Sequence, residues 1–252
     1  MWSLYFISLR SGGSISDMLK SNIETKMQIA SKFMELVEER PPSKRVSITE
    51  LTSALKINRV TFYNHFDNID MLVQWIYRNS TGEILFADAF KQYTLVKPSP
   101  ELNDPWPDLP IYVQADIEGN FEAQALFFKS LGKCHEKHRA YYEKIFSGHI
   151  YFDLFDYVVE LYLPAIRQDI IVMLKGREMP ESVINFLAEY HTMGIFGRVR
   201  YHYAKTHSYM LQEDLSPYFM YGHNMLEYTI ENYSQAEEIK GLRNLFKFKG
   251  RR

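Results

Sequence analysis

Apolar side chains return every three or four positions over residues 23–39, where Ile23, Met27, Ala30, Phe33, Met34 and Val37 fall on one side of a helix. Pro41-Pro42 ends it, because proline disfavours helical geometry in the residue before it. Ser47 with Glu50 three positions on is a capping box: the hydroxyl accepts from the Glu50 amide while the Glu50 carboxylate reaches back to the Ser47 amide. A second helix therefore starts there, with Ile48, Leu51, Ala54 and Leu55 on one side. Lys56-Ile57-Asn58 makes a short turn in which Asn58 is the N-cap of a third helix running to Phe66. Phe62 and Phe66, four apart, point into the core, so Arg59, Val60, Tyr63 and Asn64 face outward. Asn68 caps a fourth helix, with Asp70 in its first turn, where negative charge suits the helix dipole, and Met71, Leu72, Trp75 and Ile76 facing the core. The pattern continues to Val96.

Between Val96 and Pro110 the chain carries Pro98, Pro100, Pro105, Pro107 and Pro110, which excludes a regular helix and predicts a loop or joint. Helical periodicity then resumes over residues 118–131, 133–146, 150–175 with a kink at Pro164, 180–207 and 213–233. No strand alternation of useful length and no internal repeat is visible. The pattern predicts an all-α protein: an N-terminal three-helix, helix-turn-helix domain over residues 23–78 and a C-terminal helical domain over 79–235. Residues 1–22 are expected to be a flexible extension; their apolar opening has no basic leader region and is too short to span a bilayer. Residues 236–252 form a basic tail with Lys240, Arg243, Lys247, Lys249, Arg251 and Arg252.

The net charge of -2 over 252 residues argues against a generally basic coat, so any DNA contact must come from a local patch. The single cysteine, Cys134, excludes an intrachain disulfide framework and fits a reducing compartment, with the cytoplasm as the expected location. Cys134 and His138 have metal-binding helical spacing around His135, but three ligands from one helix rarely close a tetrahedral site, and a surface cluster is the plainer reading. No metal or cofactor is expected. The sequence offers no glycine-rich phosphate loop, metal triad or nucleophile elbow, so an enzyme is not expected either.

The runs Ile48-Thr49-Glu50-Leu51, Leu55-Lys56-Ile57-Asn58 and Thr61-Phe62-Tyr63-Asn64-His65-Phe66-Asp67-Asn68, followed by Leu72, resemble the tetracycline-repressor (TetR) family of transcription regulators. The resemblance is specific over residues 23–78 and rests on helix order through the body. It implies a DNA-binding head and a ligand-binding and dimerisation body. Within the head it implies that Tyr63 and His65 contact phosphates, that Thr49 anchors the second helix to the DNA backbone, and that Arg59, Val60 and Asn64 face the bases. Ser47, Asn58 and Thr61 complete the expected DNA-binding set, and Lys44, Arg45 and Lys56 would add backbone attraction. The chemistry agrees in kind: arginine matches guanine O6 and N7, asparagine can pair with adenine, and tyrosine and histidine can donate to phosphate oxygens. Two positions depart from the pattern. Lys56 stands where the family usually has a turn glycine, and Ile69 where it usually has a lysine that contacts phosphate.

The resemblance further implies a homodimer through the helices at 181–207 and 213–233, with Gly194 and Gly197 permitting close helix approach. Its partner would be a palindromic double-stranded operator, its action repression, and its release the work of a small-molecule effector. Candidate ligand contacts in the body are Phe127, Phe155, Tyr162, His191 and Arg198, although aromatic residues at helical spacing are more often plain core. His202, His207 and His223 read as core or interface histidines. The alternative is a TetR-like binding module that acts through a protein partner with weak or no DNA binding, which Ile69 and the near-neutral head permit.

Overall fold

The computed structural model describes residues 13–41, 44–114, 122–146, 154–205, 221–222 and 224–238, with the backbone alone given for 13–20 and 234–238. The apolar stretch at 1–9, His207, His223, most of the basic tail and the expected helix starts at 118, 150 and 213 lie outside these residues. The described chain is mostly helical, as its periodicity predicts, and none of its helices is long and apolar enough to cross a membrane.

The first helix, α1 (Gly13–Glu39), begins well before Ile23. Once a helix is nucleated, each further residue adds a backbone bond, which outweighs the modest cost of a glycine or serine at its start. It buries Ile29, Ala30, Phe33, Met34 and Val37. Helix α2 (Ile48–Leu55) buries Leu51 and Thr52, while Ala54, expected on the inner side, faces solvent. Thr52 tolerates burial because its hydroxyl donates to the Ile48 carbonyl at 2.9 Å. Helix α3 (Arg59–Tyr63) is five residues long and stops short of Phe66, which is nevertheless buried with Phe62.

Helix α4 (Ile69–Leu85) joins head to body and runs through residue 78 without a break. Its first half buries Leu72, Val73, Trp75 and Ile76, and its second half buries Tyr77, Arg78, Ser80, Thr81 and Leu85. It ends at Leu85, not at the predicted Val96. A 3-10 turn (Asp88–Phe90) follows and buries Phe90, and β1 (Leu95–Val96) then pairs antiparallel with β2 (Tyr112–Val113), Leu95 opposite Val113. This ribbon of two residues per strand sits within an otherwise helical fold.

The proline-rich segment between these strands is an ordered strap fastened to α4. Arg78, wholly buried, donates from Nη1 to the Pro110 carbonyl at 3.1 Å and from Nη2 to those of Trp106 and Leu109 at 3.1 and 2.7 Å. Its Nε lies 3.4 Å from Asp104 Oδ2, and the Tyr157 hydroxyl donates to that same oxygen at 2.8 Å. Leu109 packs over Gly82 of α4, its Cδ2 at ordinary van der Waals distance, 3.4 Å, from where a Cβ would stand.

The body consists of α5 (Glu122–Lys137), α6 (Arg139–Phe146), α7 (Leu154–Leu174), α8 (Glu181–Lys205) and α9 (Asn224–Glu238). Pro164 lies inside α7, and the turn into α8 uses left-handed backbone at Lys175 and Gly176, with φ of 50° and 80°. Arg167 of α7 pairs with Glu181 and bonds Asn185 of α8, tying these two helices together. The core is aromatic: Phe127, Tyr112, Tyr162 and Phe196 pack ring against ring. Tyr142, Phe146 and Tyr203 close around His135.

Candidate nucleic-acid interface

The outward ridge of the head is set by caps that the local sequence supplies. The Glu50 amide donates to Ser47 Oγ at 3.2 Å, starting α2. The Val60 amide donates to Asn58 Oδ1 at 3.0 Å, starting α3, and the Met71 amide to Asn68 Oδ1 at 2.8 Å, starting α4. The second half of the predicted capping box is replaced: the Glu50 carboxylate pairs with the Arg40 guanidinium instead of turning back to Ser47. Charge attraction to arginine outweighs a neutral amide bond here. Between α2 and α3, Lys56 adopts left-handed backbone with φ 55° and ψ 37°, and its amide donates to the Ser53 carbonyl. That turn needs a conformation that glycine reaches without strain and lysine does not.

With Phe62 and Phe66 anchored below, Arg59, Val60, Tyr63 and Asn64 project into solvent as predicted, Val60 being 61% and Tyr63 46% exposed. Lys44, Arg45, Ser47, Thr49 and Asn58 are also exposed, and Thr61 is half-buried. From Lys44 to Phe66 the chain carries Lys44, Arg45, Lys56 and Arg59 against the single carboxylate of Glu50, which Arg40 already neutralises. Asp67 and Asp70, both exposed, follow directly, so the cationic excess is confined to the stretch from Lys44 to Tyr63, where it can meet phosphates. Asn64 and Arg59 supply the forked donors and acceptors that read base edges.

His65 differs from its neighbours. It is half-buried, its Nδ1 has no hydrogen-bond partner, and burial together with the nearby Lys26 ammonium pushes its pKa below the ordinary value of 6.5. Both effects favour the neutral ring in the protein alone, in which one ring nitrogen carries an N–H donor. Ile69 packs against the core and offers no donor. Arg40 and Lys26, whose ammonium stands 5.9 Å above the Phe66 ring, were not anticipated as part of this arrangement. Lys26 in α1 and Arg40 just beyond it have partners elsewhere in the sequence, so only packing reveals them.

The candidate ligand residues of the body do not form one site. Phe127 and Tyr162 share the core with ring centroids 6.3 Å apart, Phe155 is stacked under the Arg200 guanidinium at 4.8 Å, His191 is buried beside Tyr190, and Arg198 is exposed on α8. Nor is the Cys134–His138 segment a surface cluster. His135 is wholly enclosed by rings, Cys134 is turned toward Ser80 and Tyr142, and His138 approaches Glu38 at 3.8 Å. Among the described residues no group of three or more His, Cys, Asp or Glu side chains is arranged to hold a metal ion.

A second exposed feature lies on α8 and the approach to α9. Phe186, Tyr190, Met193 and Tyr201 form a stripe along α8, and Tyr221, Met225 and Tyr228 are exposed at and before α9. Gly194 and Gly197 fall within this stripe, and a Cβ built on either would meet nothing within 4 Å.

No known protein-family profile matches the chain. It is 33% identical over 67 residues to the HTH-type dhaKLM operon transcriptional activator DhaS of Lactococcus lactis subsp. lactis (strain IL1403), a match covering 27% of this chain and 35% of that relative. The chain thus aligns with about a third of that relative's length. A solved structure titled dihydroxyacetone kinase operon activator DhaS superimposes with a TM-score of 0.52 at 18% identity, covering 83% of this chain and 97% of that one. The second likeness shows a shared, largely helical fold.

Proposed function

We propose that this chain is a homodimeric transcription regulator that binds double-stranded DNA sequence-specifically, with residues 23–78 as the reading head and 79–235 as the regulatory and dimerisation body. The observation that carries the reading is the exposed ridge Arg59, Val60, Tyr63 and Asn64 on a short helix whose other side is filled by Phe62 and Phe66. A helix presented this way enters a major groove by its N-terminal turn. Arg59 and Asn64 then meet base edges, while Tyr63, His65, Thr49, Ser47, Lys44 and Arg45 meet the phosphate backbone. The regional match to a transcriptional activator supports the assignment.

Two heads carried by one dimer read a palindrome. A small-molecule effector acting on the body would change their separation. The TetR resemblance favours repression, whereas both named relatives are activators; a promoter-reporter fusion assayed with and without the protein reads the sign directly. The protein is expected in the cytoplasm.

Selection of duplexes from a random library, followed by mobility-shift titration, tests the reading. Tyr63→Ala and Arg59→Ala are each expected to weaken binding to the selected duplex by about tenfold or more, and Arg59→Ala to relax base preference at one position. Wild-type affinity no higher for the selected duplex than for random DNA would overturn it. A second reading, recruitment by a protein partner without DNA contact, is favoured by Ile69, which removes one phosphate donor from the head. Capture of a partner protein together with absent DNA retention would select it.

A further inference from the structure

On the DNA-binding reading above, we propose that Lys144 of α6 is a positioning residue for the head: it clamps the C-terminal turn of α1 to the body and, through Arg40, fixes where α2 and α3 stand. Its ammonium donates to the carbonyls of Val37 at 2.8 Å, Glu38 at 2.8 Å and Arg40 at 2.7 Å. A lysine has three N–H donors, and here three carbonyls meet them.

The last carbonyls of a helix have no partner within it and carry the negative end of its dipole. Many helices satisfy them locally with a glycine in left-handed conformation. Helix α1 runs instead into Arg40 and Pro41, and its C-terminal cap comes from more than a hundred residues away in sequence. The same turn is approached from a second side, since Glu38 Oε1 lies 3.8 Å from Nδ1 of His138 at the start of α6. Burial lowers the Lys144 pKa, and the Glu38 and Glu143 carboxylates act in the opposite direction.

From this clamp the contacts run on into the head. Arg40, whose carbonyl Lys144 holds, donates from Nη1 to the Arg45 carbonyl at 2.8 Å and pairs with the Glu50 carboxylate of α2. Helix α2 leads through the Lys56 turn directly into α3. An unbroken series of charged contacts therefore links α6 to the element that precedes the recognition helix. A rotation of α6 would be delivered to the head through Lys144.

Backbone hydrogen exchange on the full-length protein tests this without reference to DNA. Lys144→Met, which keeps the apolar stem but loses the ammonium, is expected to speed exchange across residues 48–66 by about tenfold, the equivalent of one or two lost charge-assisted bonds. Protection in α7 and α8 should stay at the wild-type level. Arg40→Met should give the same pattern. The double variant should be no worse than the more affected single, because both residues serve one path. Lys144→Arg should restore protection only in part, since a planar fork does not match three converging carbonyls. On a selected duplex, Lys144→Met should also lose about tenfold in affinity while remaining dimeric.

Unchanged exchange in residues 48–66, an equal rise in head and body, or additive effects of Lys144→Met and Arg40→Met would each overturn the proposal. If Lys144→Met fails to fold, Arg40→Met and Lys144→Arg decide it by the same exchange pattern. If no duplex is bound at all, the reading of the head fails while the exchange result still tests the clamp.

Discussion

His135 is a wholly buried imidazole with no hydrogen-bond partner on either ring nitrogen, packed among the rings of Tyr77, Tyr142, Phe146 and Tyr203. Burial alone pushes its pKa down from 6.5 to about 3, because a charged ring there would be stripped of water. The folded protein therefore keeps His135 neutral, whereas the unfolded chain takes up a proton once the pH falls below 6.5. Its contribution to stability is complete above that pH and declines as the pH drops from 6.5 towards 3, at up to about 1.4 kcal/mol per pH unit. Urea melts of wild type and His135→Phe between pH 7.5 and 5 should show the wild type losing stability more steeply, and parallel curves would refute the assignment. Residue-scale chemistry of this kind was only partly legible in the sequence. The left-handed turn at Lys56 is legible in part, because the sequence resemblance puts a glycine at that position, and φ of 55° places a lysine in the conformation glycine favours. His135 was read as part of a surface cluster, since its spacing to Cys134 and His138 does not reveal which side of α5 the other helices cover.

Helix α3, five residues long, has no stability of its own, because a single turn cannot repay the cost of nucleation. It persists through the Asn58 cap and the burial of Phe62 and Phe66, all of which are local and were legible in the sequence. What local pattern could not supply was any element whose ending depends on a distant partner. The Glu50 carboxylate was assigned to its own helix but is taken by Arg40, and α4 was extended to Val96 because nothing in the periodicity marks its stop at Leu85. The prolines exclude a regular helix through residues 96–110, where only a 3-10 turn (Pro100–Leu102) forms, yet the strap is held by Arg78, which no turn signal identifies. Arg78→Leu leaves the Asp104 carboxylate and three carbonyls buried without their cation, and should cost about 3–5 kcal/mol in chemical denaturation. Tyr157→Phe removes one hydroxyl bond to that carboxylate and should cost about 1.5–3 kcal/mol. A loss below 1 kcal/mol for Arg78→Leu would mean that the strap contributes little to the fold.

At the scale of the whole molecule, the two exposed features make different demands on a partner. The cationic ridge of the head is small and suits a polyanion, whereas the stripe from Phe186 to Tyr201 is apolar and extended along α8. Large aromatic side chains left open in a row are the mark of an interface. Gly194 and Gly197 leave room within that row for another helix to approach. The proposed homodimer would seat a second copy of the same stripe here, and a two-fold axis through α8 would then carry two recognition helices, matching a palindrome. Tyr190→Glu places a charge in the middle of the stripe at a position 65% exposed in the protomer, so thermal unfolding of the isolated chain should barely change. On the proposed homodimer, sedimentation should report a dimer for the wild type and a monomer for Tyr190→Glu. Affinity for a selected palindromic duplex should fall by about a hundredfold or more as the second head ceases to be tethered, while binding to a single half-site is retained. A Tyr190→Glu protein that still sediments as a dimer would move the interface off α8 and separate the stripe from the reading of DNA.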